Sequence, residues 1–121
     1  MEAWNRHDLQ GVMEWMDDLV VFEHWTGSLV SGKNLLKKAW TPWFSNHEGF
    51  FFTTEDFFFD ETEQKLTFLW QLDWLSKQKG YEGSPEKRRG VDILFFRNGK
   101  IIRKVSYSKT LVIINNKSVT G

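Results

Sequence analysis

The spacing of apolar residues changes from a helical to an extended pattern near Gly49. Before Gly49, apolar residues recur every three or four positions over 9–16 and again from Ser31-Gly32 onward, which predicts two amphipathic helices. Between them, 19–25 and the short Leu29-Val30 segment are expected to be strands. After Gly49 the period is close to two, which predicts a sheet. Helices followed by a meander predict an α+β fold, a cone-shaped curved antiparallel sheet wrapped around the N-terminal helices.

The helical part carries several boundary signals. Residues 1–6 resemble the end of a helix whose beginning is missing, and Asp8 is a good N-cap for the next helix. The later helix is expected to bury one side and to expose Lys33, Lys37 and Lys38. Pro42 should kink or shorten the last turn of that helix, because proline lacks the N–H that a helix interior uses. The residues expected on the buried side are Leu35, Leu36, Ala39, Trp40 and Trp43.

Strand signals continue after Gly49. Residues 50–60 read as one strand, and 64–77 alternate cleanly, which predicts one face formed by Leu66, Phe68, Trp70, Leu72 and Trp74. Residues 80–87 are polar with glycine and proline, so a flexible loop is expected. Residues 88–110 read as a long hairpin around Asn98-Gly99, because both turn residues tolerate the positive φ of a type I′ turn. Residues 111–114 are expected to be extended, followed by a polar tail.

Asp92 stands out within that hairpin. It lies in the run Val91 to Phe96, where both faces of the strand are apolar, so the strand should be covered on both sides. An unpaired charged carboxylate there would be strongly unfavourable. Asp92 is therefore either a neutral acid in a pocket or a structural acid paired with Arg88, Arg89 or Lys104.

Size and composition exclude several classes of protein. At 121 residues the chain is expected to form a single domain, 1–121. Basic and acidic residues balance at sixteen each, so no nucleic-acid partner is expected. The chain has no cysteine, and nothing near its N-terminus resembles a signal peptide. No apolar run is long enough to span a membrane, so a cytoplasmic protein without membrane contact is the expectation.

Aromatic residues make up 17% of the chain, with seven Trp and eleven Phe. Large rings fill cores, but they also line pockets and interfaces. The candidate lining of a pocket for a small hydrophobic molecule is Trp25, Trp40, Trp70, Trp74, Leu94 and Tyr107, and the alternative for the tryptophans is ordinary core packing. Leu69, Leu75 and several phenylalanines should make the outer sheet face apolar, which predicts a homodimer through the sheet.

Three segments together carry a family resemblance: AWNRHDLQGVMEWMDDLVVFEHW, GKNLLKKAW and RRGVDILFFRNGKIIRKVSYSKT. In this order the chain resembles the nuclear-transport-factor-2-like superfamily, in its SnoaL-like and ketosteroid-isomerase-like branch. The resemblance spans most of the chain and implies the conical fold. It implies much less about activity, because this fold hosts isomerases, dehydratases, cyclases, epoxide hydrolases and non-catalytic binding modules.

The resemblance implies two catalytic positions. The proton-shuttling base of ketosteroid isomerases falls on Glu23, and the acid that stays protonated and donates a hydrogen bond to an oxyanion falls on Asp92. The tyrosine that completes that oxyanion hole would fall before Met1, so the hole itself is not carried over, and one side of the cone would stay open unless another chain covers it. From the residues alone, Glu23 is either a base with a raised pKa or a strand-end carboxylate paired at the surface.

No cofactor or metal is expected. His24 should face away from Glu23, while His7 is expected to support the Asp8 loop and His47 to lie in a loop. No spacing of three or more ligands suggests a metal site. Two functions stay open: a cofactor-independent acid–base enzyme using Glu23 and Asp92 on a small apolar substrate, or a non-catalytic ligand-binding or dimerisation module.

Overall fold

A computed structural model of the protein describes residues 2–46 and 49–120, so the expected position of His47 lies outside the described residues. Within these ranges the chain forms three helices and eight strands. The helices are α1 (Glu2–Asn5), α2 (Leu9–Met13) and α3 (Lys33–Asn46). The strands are β1 (Met16–Glu23), β2 (Leu29–Ser31), β3 (Phe51–Asp60), β4 (Lys65–Leu75), β5 (Pro85–Arg97), β6 (Lys100–Ser108), β7 (Leu111–Ile114) and β8 (Lys117–Thr120).

All eight strands belong to one curled sheet. Its main order is β2-β1-β6-β5-β4-β3, with β7 paired to β5 and β8 paired to β7. Helices against such a sheet form the expected α+β cone, so the predicted fold class is confirmed. One pairing differs from the expectation of an antiparallel sheet: β1 and β6 run parallel. Their connection contains a helix and several strands, which is long enough for a parallel pairing.

The hairpin at the centre of the sheet forms as predicted. β5 and β6 pair directly around Asn98 and Gly99, whose φ angles are 52° and 75°. These values suit the two central positions of a type I′ turn. The alternation predicted for β4 is also confirmed, since Trp70 and Leu72 are fully buried on the inner face.

Two segments near the C-terminal half form more strand than predicted. The expected loop at 80–87 ends early, because β5 begins at Pro85 and pairs with both β4 and β7. The expected polar tail forms β8, which returns along β7 after a turn at Asn115 and Asn116. Both asparagines have positive φ, 53° and 64°, a conformation that asparagine tolerates better than most residues.

The helices differ from the expectation in extent and in burial. α2 ends at Met13 and β1 already begins at Met16, where the strand pairs with Ile101 of β6. In α3 the chain continues through Pro42 to Asn46. Leu36 and Trp40 are buried, but Leu35 is 60% exposed and Ala39 is also exposed, so the prediction was wrong for these two. Only the stripe that faces the sheet is covered.

Asn5 attaches α1 to the edge of the sheet. Its side-chain amide donates to the Phe52 carbonyl oxygen at 2.8 Å, and its oxygen accepts from the Phe52 N–H at 2.7 Å. These two bonds satisfy backbone groups of β3 at the sheet edge. The predicted Asp8 cap is confirmed, because its carboxylate accepts from Gly11 N–H at 3.0 Å. α1 and α2 are thereby held over the inner face of the sheet.

Among the described residues, no helix is both long and apolar enough to cross a membrane.

Candidate functional site

A cavity of about 1020 Å³ lies between the helices α1 and α2 and the inner face of the sheet. Strands β3, β4, β5 and β6 form its floor and walls, and most of the lining is apolar. Phe57 and Phe59 line the cavity and are nevertheless exposed, so the cavity is open along β3. Other apolar lining residues are Trp4, Phe52, Leu66, Phe68, Leu94 and Ile101. A space of this size and polarity suits a small hydrophobic molecule.

Two buried charged side chains line this cavity, Asp92 of β5 and Lys104 of β6. The Lys104 Nζ lies 3.5 Å from the Asp92 Oδ2, and their side chains are only 10% and 8% exposed. Of the partners considered from the sequence, Lys104 is therefore the one that pairs with Asp92. Each charge compensates the other in surroundings where a lone charge would be costly.

Aromatic rings also surround the Lys104 ammonium. The Nζ lies 4.5 Å from the ring centroid of Trp4, 5.1 Å from that of Trp40 and 5.7 Å from that of Phe22. Phe22 is in this position because it is the register partner of Lys104 in the parallel β1–β6 pair. Cation–π attraction draws the ammonium toward these ring faces. The rings and Asp92 together fix the ammonium at the cavity wall.

Trp70 binds the other oxygen of Asp92, and Gly90 leaves room for the Trp70 ring. The Trp70 indole N–H donates to Asp92 Oδ1 at 2.9 Å. Gly90 is the register partner of Trp70 on β5, and a Cβ at Gly90 would overlap the Trp70 ring and the Tyr107 carbonyl oxygen. The absence of a side chain at Gly90 is therefore what allows the indole to lie across β5 and reach Asp92.

A second buried polar group lies further along the inner face. Glu86 accepts hydrogen bonds from the Trp74 indole N–H and from Ser76 Oγ, and it pairs with Arg88 at 3.3 Å. Arg88 also donates to Ser108 Oγ at 3.1 Å. These bonds satisfy a charged pair that would otherwise be costly to bury, which gives the group a structural role.

His24 lies near both charged pairs. Burial lowers the pKa of His24 below its ordinary value of 6.5, the charges of Lys104 and Arg88 lower it further, and Asp92 opposes them. The neutral imidazole therefore predominates at pH 7. His7 instead donates from Nε2 to the Phe50 carbonyl oxygen at 2.9 Å, which ties the Asp8 loop to the start of β3.

Glu23 is not part of the cavity lining. It ends β1, and its carboxylate pairs with Arg103 at 3.8 Å. The Arg103 guanidinium lies over the Phe95 ring, and these two residues are register partners on β6 and β5. Each is one position away from an inner-face residue, Lys104 on β6 and Leu94 on β5. Successive residues on a strand face opposite sides. The structure therefore does not bring Glu23 and Asp92 together. Glu23 is instead a strand-end carboxylate paired with Arg103.

Of the aromatic and aliphatic residues predicted to line a pocket, Leu94 does line the cavity. Four tryptophans instead pack in the core beside it. Trp25 follows the end of β1, and its ring packs on Trp70 and on the Arg88 guanidinium. Tyr107 is 53% exposed on the outer face. The residues outside the cavity lining are Trp25, Trp40, Trp70, Trp74 and Tyr107.

Sequence reasoning missed the two residues that shape the polar part of the cavity. Lys104 was considered only as one of three partners for Asp92, and Gly90 was not considered at all. The alternation of Ile102, Lys104 and Ser106 along β6 is mixed, so it gives no face for Lys104. A glycine inside a predicted strand is a usable signal, because it often marks a close approach of another group.

Within residues 2–46 and 49–120, no group of three or more His, Asp and Glu side chains converges in a way that could hold a metal ion.

Comparison with known proteins identifies the family. Residues 1–104 match the SnoaL-like domain. A search of curated proteins finds no match. Among solved structures, a nuclear-transport-factor-2-like protein of unknown function from Mesorhizobium loti is 20% identical with a TM-score of 0.70, covering 89% of this chain and 83% of that one.

Two further structural neighbours are associated with small organic molecules. A computationally designed 17-OHP binder is 19% identical with a TM-score of 0.76, covering 96% of this chain and 90% of that one. TerC, co-crystallised with polyporic acid, is 16% identical with a TM-score of 0.74, covering 90% and 85%. At these identities the neighbours show the fold alone. The match over residues 1–104 shows that this chain belongs to the SnoaL-like domain family.

Proposed function

We propose that the protein binds a small, largely apolar molecule in the cavity between α1–α2 and the sheet. This proposal rests on the composition of the cavity wall. The wall is a large apolar surface that contains one buried charged pair, Asp92 and Lys104. Ligand sites commonly combine an apolar lining with a few fixed polar groups that orient the ligand. Asp92 and Lys104 would supply that orientation.

Two of the structural neighbours support the ligand class. One is a designed 17-OHP binder, and TerC was crystallised with polyporic acid. Both are proteins of this fold associated with small organic molecules. A fold by itself does not fix a function, so the ligand class proposed for this chain rests on its own cavity.

Ligand binding is favoured over an acid–base reaction that would use both Glu23 and Asp92. That reaction would need both carboxylates within reach of one substrate. The ion pair between Glu23 and Arg103 lies outside the cavity lining, whereas Asp92 is part of it. Glu23 is therefore not assigned to the proposed ligand site.

The proposal is tested by calorimetric titration with 17-OHP and with the simpler apolar probe bibenzyl. Leu66 and Thr67 are neighbours on β4, and only Leu66 lines the cavity. The variant Leu66→Trp should weaken binding at least about tenfold. Leu66, Leu94 and Lys104 lie side by side across the strands, so the larger ring would occupy space that a ligand at Lys104 needs. The matched control Thr67→Trp adds its ring on the opposite face and should bind like the wild type. Equal affinity of all three proteins, or no binding of either probe, would contradict the proposal.

We also propose a homodimer through the outer face of the sheet. Phe58 of β3 is 60% exposed there, and Tyr107, Phe51 and Leu75 are exposed on the same face. Apolar side chains in such numbers are typical of an interface. The variant Phe58→Glu should give a monomer in light scattering at micromolar concentration, whereas Phe59→Glu, one residue along but lining the cavity, should remain dimeric. A monomeric wild type at that concentration would rule the dimer out.

A further inference from the structure

We propose that the cavity selects an uncharged ligand that carries a hydroxyl group beside a carbonyl group, as in an α-hydroxy ketone. Lys104 would donate a hydrogen bond to the carbonyl oxygen, and Asp92 would accept one from the hydroxyl. This inference rests on the proposed binding function and names the chemical class of the ligand.

The Lys104 ammonium has unused donor capacity at the cavity wall. An ammonium carries three N–H donors. Within the part of the chain that the structure describes, the only ion pair of Lys104 is the one with Asp92 at 3.5 Å, and its side chain donates no hydrogen bond. The rings of Trp4, Phe22 and Trp40 attract the charge but supply no lone pair. A ligand oxygen in the cavity would satisfy a donor that the protein leaves unsatisfied.

Asp92 has corresponding acceptor capacity. Its Oδ1 accepts from the Trp70 indole N–H at 2.9 Å, and its Oδ2 faces Lys104. A carboxylate offers about four acceptor positions, so the indole and the ammonium leave room for a ligand hydroxyl. Because Trp70 fixes the carboxylate, the hydroxyl would meet an acceptor that needs no rearrangement.

The charge balance of the site favours a neutral ligand. Asp92 and Lys104 compensate each other, and so do Glu86 and Arg88 further along the inner face. A carboxylate or an amine brought into the apolar cavity would add an uncompensated charge, which is costly to desolvate. The other charged lining residues add a bias against anions, since they are Glu2, Asp8 and Glu14 with Arg6 as the basic one.

The positions of the Lys104 donor and the Asp92 acceptor determine how far apart the polar groups of the ligand must be. The Lys104 Nζ and the Asp92 Oδ2 are neighbours at 3.5 Å, so a ligand must present its acceptor and its donor close together to reach both. Oxygen atoms on adjacent carbons lie within the length of one hydrogen bond of each other. An isolated ketone has no donor for Asp92 and would leave that carboxylate desolvated. An isolated alcohol has its donor and its acceptor on one oxygen. Its bonds to two protein atoms 3.5 Å apart would enclose only about 75° at that oxygen, so at least one of them would be bent and weak.

A series of six compounds on one diphenylethane frame tests this inference by calorimetric titration of the wild-type protein. Benzoin carries both groups, deoxybenzoin lacks the hydroxyl, 1,2-diphenylethanol lacks the carbonyl and bibenzyl lacks both. Benzoin should bind about tenfold more tightly than either singly substituted compound, since a hydrogen bond to a charged group contributes about that factor. The anion of 2,3-diphenylpropanoic acid and the cation of 1,2-diphenylethylamine should both bind more weakly than benzoin.

Two variants assign the preferences to residues. In Lys104→Met the preference for benzoin over 1,2-diphenylethanol should disappear, while the preference over deoxybenzoin remains. In the double variant Asp92→Leu with Lys104→Met, which leaves no charge unpaired, the four neutral compounds should bind within about twofold of one another. The double variant carries the test should Lys104→Met fail to fold.

The outcomes separate this inference from the function on which it rests. Equal affinity of the four neutral compounds for the wild type, or tightest binding of the anion or the cation, would overturn the inference and leave the apolar binding site standing. Failure of all six compounds to bind would contradict the binding function, and this inference with it.

Discussion

Replacing Lys104 with methionine is expected to lower the free energy of unfolding by about 3–5 kcal/mol, the usual cost of leaving one partner of a buried ion pair uncompensated. Methionine approximates the length of the lysine chain, so packing against Trp4 and Trp40 is largely kept. What is lost is the charge that faces Asp92, whose side chain is only 8% exposed. Urea denaturation at pH 7, followed by tryptophan fluorescence, measures the change.

Two further variants separate the charge effect from a general effect of losing a lysine. Lys38→Met removes an exposed lysine from α3 and should change stability by no more than about 0.5 kcal/mol. Asp92→Leu combined with Lys104→Met replaces the whole pair with apolar groups and should recover most of the loss. If instead the losses of Lys104→Met and Asp92→Leu simply add in the double variant, the two side chains do not interact as described.

The second large effect is expected at Gly90. In Gly90→Ala the new methyl group would occupy the space of the Trp70 ring and of the Tyr107 carbonyl oxygen. One of these contacts is backbone, so the strand itself must move, and a destabilisation of about 3 kcal/mol is expected, at the upper end for overpacking. Displacing the indole should also break its hydrogen bond to Asp92 and alter the near-ultraviolet circular dichroism of the tryptophans.

Trp70→Phe provides the test of mechanism for Gly90→Ala. Phenylalanine lacks the part of the indole that a Cβ at Gly90 would meet first, so the double variant should lose less stability than the sum of the two single changes. The overlap with the Tyr107 carbonyl oxygen would persist, so the relief should be partial. A Gly90→Ala protein as stable as the wild type would show that Trp70 does not lie across β5 as described.

The elements with strong local signals were predictable from sequence. Asn98-Gly99 made the central hairpin predictable, because few other residues accept the positive φ angles of the turn. The alternation along β4 correctly gave its buried face, since period-two patterning reflects which side of a strand meets the core. The order of these elements, with the family resemblance, was enough to predict the α+β cone.

Features that depend on distant contacts were not predictable. β8 forms because β7 is available as a partner, although its own residues read as a polar tail. Leu35 looked buried by helical spacing, but the sheet covers a narrower stripe of α3 than the spacing alone suggests. In both cases tertiary packing decided the outcome over the local pattern.

The candidate site was only half predictable for the same reason. An acid in an apolar strand singled out Asp92, because burying a charge demands an explanation. Its partner could be identified only from the strand registers. The register of β5 against β6 brings Lys104 close to Asp92, and that of β1 against β6 brings Lys104 beside Phe22. Glu23 was placed by resemblance to a family position, but its side chain faces Arg103.

The most direct test of the binding proposal is a crystal structure of the protein in complex with benzoin. Benzoin is expected to lie between α1–α2 and the inner face of the sheet, with its ketone oxygen within hydrogen-bond distance of Lys104 Nζ and its hydroxyl facing Asp92. Benzoin bound on the outer face of the sheet, or held in the cavity with both oxygens turned away from this pair, would contradict this expectation.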